Sequence, residues 1–379
     1  MIIGIDARFF GPHAKGLGRY AQKLIEEIEK TDDKNDYLIF LRQANFNEYQ
    51  PQNLRFKKIL ANWRWYSLGE QLFFPRQLYR HKIDLMHFTH FNAPIFYRRP
   101  YVVTIHDLIL RQWPTVKNNL FSRVKYFFKN FVYKIVIRLV LARAKKIIAV
   151  SQFVKNDIIK SFGVSPEKVK VIYEGAPEIA NRKSQIADRQ ILEKYEIKKS
   201  YLLYVGNAYP HKNLVRLIEA FKILHNGQYP NLQLVLVGGE DYFYKKLKQE
   251  NCDERGVCFG GGVIFTGFVS DEELGDLYQN AEVYVFPSLC EGFGLPPLEA
   301  MSYGVPVVAA RVTCLPEILG EAAHYFDAQE PVDMAVKISE VLSNETLRQQ
   351  FIAAGFAQIK KYSWSRMAEE TMRIYKFVD

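Results

Sequence analysis

Cysteine is scarce in this 379-residue chain: there are four, Cys252, Cys258, Cys290 and Cys314, with no Cys-x-x-Cys pair and no histidine at zinc spacing. That argues against a disulfide scaffold or a zinc cluster, and the thiols read as reduced and mostly buried. Long uncharged runs are also missing. No window of about 20 residues, the length a bilayer-spanning helix requires, is free of charge. The N-terminus, Met-Ile-Ile-Gly-Ile-Asp, has no basic leader and reaches an acid at position 6, so it reads as a first strand instead of a signal peptide and points to a cytoplasmic protein. Short repeats and low-complexity tracts are absent. One long stretch lacks acids altogether: between Asp107 and Asp157 there is no Asp or Glu, but there are eleven Lys or Arg.

What is present is the composition of an ordinary folded protein, 48% apolar and 24% charged, too long for a single core, since cores stop growing near roughly 250 to 300 residues. Two domains are therefore expected. Short apolar strand candidates alternate with helical patterns: Ile2 to Ile5, Tyr37 to Leu41, Leu85 to Phe88, Val102 to Ile105 and Lys146 to Val150. A polar, weakly patterned stretch, 176–199, interrupts them and reads as an interdomain linker. The alternation restarts with Tyr201 to Val205, Leu232 to Val237, Val263 to Phe265, Val283 to Phe286 and Val305 to Ala309. Each half is expected to be an α/β, doubly wound parallel sheet, with ligands beyond the carboxyl ends of the strands. Tyr362 to Val378 reads as an amphipathic helix.

The net charge of +10 resides in the acid-free stretch. Within it Leu120, Val124, Phe127, Phe131, Ile135 and Leu139 recur at helical spacing with Arg123, Lys125, Lys129, Lys134 and Arg138 between them. A basic amphipathic helix over 117–146 is expected, its apolar stripe on the core and its basic face either solvated or set against an anionic membrane surface or a phosphate-bearing acceptor.

Chemistry concentrates in a few loops. After the strand Val283 to Phe286 come Glu291-Gly292-Phe293-Gly294-Leu295, then Pro296-Pro-Leu-Glu299 and a helix ended by Gly304. A Gly-x-Gly turn into a Pro-started helix sets backbone amides around a helix N-terminus, an arrangement suited to a diphosphate. Glu299, expected in the first turn, and Glu291, before the turn, offer carboxylates to paired hydroxyls on two parts of one ligand, as a sugar nucleotide has. After the strand Tyr201 to Val205, Gly206-Asn207-Ala-Tyr-Pro-His211-Lys212 places a lysine where it can neutralise phosphate. Val102-Val-Thr-Ile-His106-Asp107 puts a histidine at a strand's carboxyl end, and Gly11 to Tyr20 is expected to be a glycine-bearing loop. Gly16-x-Gly18-x-x-Ala21 superficially matches a dinucleotide fingerprint. Its first glycine falls about ten residues past the strand, however, and no acid follows the second strand, which argues against NAD.

These residues resemble the retaining glycosyltransferases of family 4, also called glycosyl transferases group 1. The resemblance runs over nearly the whole chain through Gly16-Leu-Gly-Arg-Tyr20, Thr104-Ile-His-Asp-Leu108, Val150 to Asp157, Gly163 to Val169, Pro210-His-Lys-Asn213, Phe265-Thr-Gly-Phe-Val269 and Glu291 to Met301. It implies the GT-B fold, two facing Rossmann-like domains: residues 1–175 binding acceptor, 200–361 binding nucleotide sugar, and 362–379 crossing back onto the first. It further implies that Glu299 holds the nucleotide ribose, that Glu291 with Gly292, Phe293, Gly294 and Leu295 holds the donor sugar and diphosphate, and that Lys212 neutralises the diphosphate. His106 would contact the transferred sugar, and Gly16 would let backbone approach donor and acceptor. Many members carry an arginine where this chain has Asn207, leaving His211 or Arg216 as substitutes. The expected reaction is retaining transfer of a hexose, mannose first, from a nucleoside diphosphate sugar such as GDP-mannose to a glycan or polyprenyl-linked acceptor, in the cytoplasm or on the inner face of the membrane. No Asp-x-Asp motif occurs, so neither a metal nor another cofactor is expected. The alternatives are another sugar-nucleotide or sugar-phosphate enzyme on this fold, and a non-catalytic nucleic-acid binder motivated by the basic charge. The latter leaves Glu291 to Glu299 unexplained, so no nucleic acid is expected.

Overall fold

Apolar runs four to six residues long satisfy their backbone groups by pairing with one another, and the helices between them make those pairings parallel. A computed structural model describes residues 1–113, 120–180, 185–198, 200–254 and 257–377. The chain forms two compact units, Met1–Gly175 with Tyr362–Asp379, and Ala176–Lys361.

The first unit holds β1 (Ile2–Asp6), β2 (Asp36–Leu41), β3 (Phe56–Leu60), β4 (Leu85–Phe88), β5 (Tyr101–Ile105), β6 (Lys146–Ala149) and β7 (Val169–Val171), in the order β3-β2-β1-β4-β5-β6-β7. Its helices are α1 (Lys15–Thr31), α2 (Leu68–Arg80), α3 (Ile109–Gln112), α4 (Leu120–Arg143), α5 (Gln152–Phe162) and the C-terminal helix Trp364–Phe377. The step from β1 to β2 runs one way across the sheet, while those from β3 to β4 and from β5 to β6 run the other. Right-handed crossovers therefore put α1 on one face and α2 and α4 together on the opposite face. Side-chain alternation agrees. Ile39 shares a core with Leu24 and Ile28 of α1, whereas its neighbour Phe40 meets Phe74 of α2, ring centroids 5.9 Å apart.

The C-terminal helix joins the α1 face through Met367, Ala368, Ile374 and Tyr375, all buried, and each of the larger three contributes about 1.5–3 kcal/mol by leaving water. Tyr375 also fixes the helix through a 2.6 Å hydrogen bond to Nδ1 of His87. Its entry depends on Gly175, where a Cβ would lie 2.4 Å from the Trp364 ring.

The second unit holds β8 (Tyr201–Val205), β9 (Gln233–Val237), β10 (Val263–Gly267), β11 (Val283–Phe286), β12 (Val307–Ala310) and β13 (Ala323–Phe326), in the order β10-β9-β8-β11-β12-β13. Its helices are α6 (Gln185–Lys194), α7 (Leu214–Asn226), α8 (Tyr242–Asn251), α9 (Asp271–Gln279), α10 (Leu295–Ser302), α11 (Leu315–Leu319), α12 (Pro331–Ser343) and α13 (Glu345–Ile359). In both units the first strand sits between the second and the fourth, so connections diverge to either side of it and leave a crevice at the strands' carboxyl ends.

Several expectations need correction. The stretch 176–199 is not a bare linker: it carries α6, tied to α9 by Lys194 and Tyr195 on Glu273. Cys252 and Cys258 form a disulfide, while Cys290 and Cys314 are buried thiols. Helix α1 begins at Lys15, so Gly16 and Gly18 lie in its first turn and not in a loop. A Cβ on Gly18 would fall 1.9 Å from the Gly11 carbonyl oxygen, which is the close approach that excludes any other residue there. In α4 the expected core stripe is inverted: Phe131 is 55% exposed while Ile137, Val140 and Leu141 are buried. The helix is apolar on two faces, and Ile137-x-x-Val-Leu141 is the one that meets the sheet. The side chains of Leu120, Val124 and Phe127 lie outside the described ones.

Candidate functional site

In the second unit the crevice lies between the ends of β8 and β11, and two loops meet there. The β8 loop runs through Gly206 and Asn207 to a short 3-10 turn, Pro210–Lys212, before α7. The β11 loop runs from Pro287 to Gly294 before α10. They are stitched together: the Leu289 amide donates to the His211 carbonyl at 2.7 Å, and Asn213 Nδ2 donates to the carbonyls of Pro287 at 3.1 Å and Ala328 at 2.7 Å. Asn213 adopts left-handed backbone, φ 61°, which asparagine tolerates better than most residues. Arg216 donates to Asn213 Oδ1 at 3.0 Å, so it braces this loop.

The stitching brings Lys212 Nζ within 2.6 Å of Glu291 Oε1, both side chains nearly buried. An ammonium has three N–H groups and a carboxylate about four acceptor positions, so the pair keeps capacity for a ligand with both anionic and hydroxyl groups. The Glu291 amide is held in turn by Thr313 Oγ1 at 3.2 Å; Thr313 itself sits in left-handed backbone, φ 49°. Neither Thr313 nor that strain was signalled by any motif. Gly294 turns the chain into α10 at φ 94°. Pro296 follows at the first helical turn, as its missing N–H allows. Glu299 is buried and accepts from the Tyr278 hydroxyl at 3.2 Å, but in the second turn of α10, because the helix starts at Leu295 and not at Pro296.

His211 is buried with Nδ1 unpartnered, and burial together with the Lys212 charge pushes its pKa down to about 4. It is a neutral neighbour of the ion pair. Asn207 spends its Oδ1 on the Tyr209 amide at 3.2 Å, shaping the loop.

His106 and Gly16 belong to the first unit. His106 follows β5, its ring edge-on to Tyr20 at 4.6 Å between centroids. Nδ1 faces Glu174 Oε1 at 2.8 Å and Nε2 faces the Thr89 carbonyl at 3.0 Å. The ring is thus held from both sides and has no unengaged nitrogen. Glu174, 4% exposed, was missed by sequence reasoning, since it lies 68 residues from its partner. Gly16 is exposed in the first turn of α1. Among the described residues no three of His, Cys, Asp and Glu converge on a point suited to a metal ion.

Residues 14–177 match the family described as Glycosyltransferase Family 4, and residues 185–358 match Glycosyl transferases group 1. An uncharacterized glycosyltransferase of Methanocaldococcus jannaschii is 30% identical over 311 residues, 78% of this chain and 75% of its own length. The chain belongs to the family 4 glycosyltransferases, glycosyl transferases group 1. Another relative of this glycosyltransferase, O-antigen chain mannosyltransferase B of Escherichia coli, is 29% identical over 382 residues, 96% of each chain. Among solved structures, sucrose-phosphate synthase of Thermosynechococcus elongatus matches with a TM-score of 0.77 at 20% identity, covering 100% of this chain and 99% of its own. The two parallel sheets of this glycosyltransferase are those of the GT-B fold.

Proposed function

We propose that this glycosyltransferase moves a hexose, mannose first, from a nucleoside diphosphate sugar to a glycan or polyprenyl-linked glycan, with retention of anomeric configuration and without a metal ion. The observation that carries the reading is the Lys212–Glu291 pair, 2.6 Å apart, in front of the Gly292-Phe-Gly294 turn at the crevice of the second sheet. Lys212 turns its spare N–H groups to the diphosphate, together with the amides of Phe293, Gly294 and Leu295. Glu291 accepts from sugar hydroxyls, and Glu299 from the ribose. GDP-mannose is the first candidate donor; the name of the Escherichia coli relative, a mannosyltransferase, supports the mannose.

In the transfer the bond from anomeric carbon to diphosphate breaks, and the acceptor oxygen bonds to the same face of that carbon. The acceptor's proton leaves with the departing phosphate oxygen. Positive charge fixed in advance lowers this barrier because nothing need reorganise as the leaving group gains charge. His106, clamped on both sides, contributes its ring edge and its backbone and has no free ring nitrogen to act as a base. Mannose transfer from GDP-mannose, followed in excess chelator with the product anomer read by NMR, tests the reading. Transfer with retention is expected; activity lost to chelator and restored by magnesium or manganese would refute metal independence, and an inverted product would refute retention.

A further inference from the structure

Helices α2 and α4 share one face of the first sheet, and their outer surfaces have the same unusual composition. The only acid in either is Glu70, which is buried against Arg8 at 2.7 Å. What α2 turns outward is Leu68, 82% exposed, with Leu72, Phe73 and Tyr79, and between them Arg76 and Arg80, also exposed. These positions fall on one half of the helix, opposite the buried Glu70, Phe74 and Leu78. The described part of α4 repeats the pattern with Phe131, Val132 and Ile135 exposed beside Lys134 and Arg138.

The loop between β4 and β5 joins the two helices: the Ile95 amide donates to Gln71 of α2 at 2.8 Å, and its carbonyl accepts from Arg143 of α4 at 2.5 Å. Phe96 is exposed on that loop. The α1 face behaves differently, because its surface lysines are neutralised locally, Lys23 by Glu26 at 2.8 Å and Lys30 by Glu27 at 2.6 Å.

Large apolar side chains standing in water beside unneutralised cations fit a partner with an apolar interior under an anionic surface. We propose that the outer faces of α2 and α4 dock the protein on an anionic lipid bilayer, with α2 leading: Leu68 and Leu72 enter the boundary between headgroups and acyl chains while Arg76, Arg80, Lys134 and Arg138 meet lipid phosphates. A nucleic acid would use the cations but leaves Leu68 and Leu72 without a role. Among the described helices none is long and apolar enough to cross a membrane, so the contact is a surface one.

Co-sedimentation of the full chain with vesicles of phosphatidylcholine, alone or with phosphatidylglycerol, tests the docking face. Binding is expected only with phosphatidylglycerol. Arg76→Gln with Arg80→Gln removes two cations from the lipid phosphates and weakens binding about tenfold or more, at ~1 kcal/mol per charge. Leu68→Ser with Leu72→Ser weakens it by a similar factor by reducing apolar burial. Both pairs are exposed, so melting temperature stays near wild type, and Lys23→Ser with Lys30→Ser on α1 leaves binding unchanged. The proposal is overturned by equal binding to both vesicles, by wild-type binding of either α2 variant, or by a chain that ignores vesicles and binds RNA.

Discussion

The two units place a cation at the same topological position and use it differently. In each, a residue just past the sheet's first strand lies at the crevice where connections diverge. In the first unit it is Arg8, fully buried, with Nε and Nη2 on the two oxygens of Asp6 at 2.8 and 2.7 Å and Nη1 2.7 Å from Glu70, under the Phe74 ring at 4.2 Å. In the second it is Lys212, with one carboxylate and a partly open head. Two carboxylates and an aromatic lid make a lock; one carboxylate at a glycine turn makes a site that can take a ligand. Partner count, not position in the fold, separates a closed clasp from a pair with room for a ligand here.

The largest effect that sharpens this contrast is expected at the lock. Arg8→Ala leaves Asp6 and Glu70 buried without their cation, and breaking a buried pair in this way costs about 3–5 kcal/mol. The denaturant midpoint should fall accordingly, and an unchanged midpoint would mean that Arg8 is not the clasp of the first unit.

A smaller effect separates the histidines. His87 has both nitrogens engaged, by Tyr375 and Thr104, and burial pushes its pKa down to about 3 from an ordinary 6.5. Between those values the unfolded chain binds the extra proton, so the stability contributed by the neutral ring is whole above about pH 6.5 and is lost as pH falls toward 3. His211, down to about 4, acts in the same direction from the second unit. Urea unfolding at pH 7 and pH 5 should show a loss of about 2 kcal/mol for each of the two groups, bounded by ~1.4 kcal/mol per pH unit per group. His87→Gln should flatten much of that slope; a slope unaltered by the substitution would assign it elsewhere.

The legible parts of the fold were those with two-sided burial. Central strands such as Val102 to Ile105 and Val283 to Phe286 are nearly unbroken apolar runs because helices cover both faces. The strands that escaped, β3, β7 and β13, lie at sheet edges, where Phe-Lys-Lys-Ile-Leu and Val-Lys-Val carry the charges that protect an open edge. The orientation of α4 was hidden because periodicity found two apolar stripes and nothing in the sequence ranks them. At the site, Glu291, Lys212 and the glycine turn announced themselves through loop chemistry next to strands. Glu174 and Thr313 did not, since each acts on a partner distant in sequence, and the Cys252–Cys258 bridge has no motif spacing to reveal it.

Under the proposed function, the Lys212–Glu291 pair is the donor-binding device of this glycosyltransferase. Its most direct measurement is kcat/KM for sugar transfer by Lys212→Ala and by Glu291→Ala, each shown to be folded by circular dichroism. A loss of at least ~10² is predicted for both, the scale on which one preorganised charge-stabilising group acts. Turnover close to wild type in either variant would overturn that role for the pair.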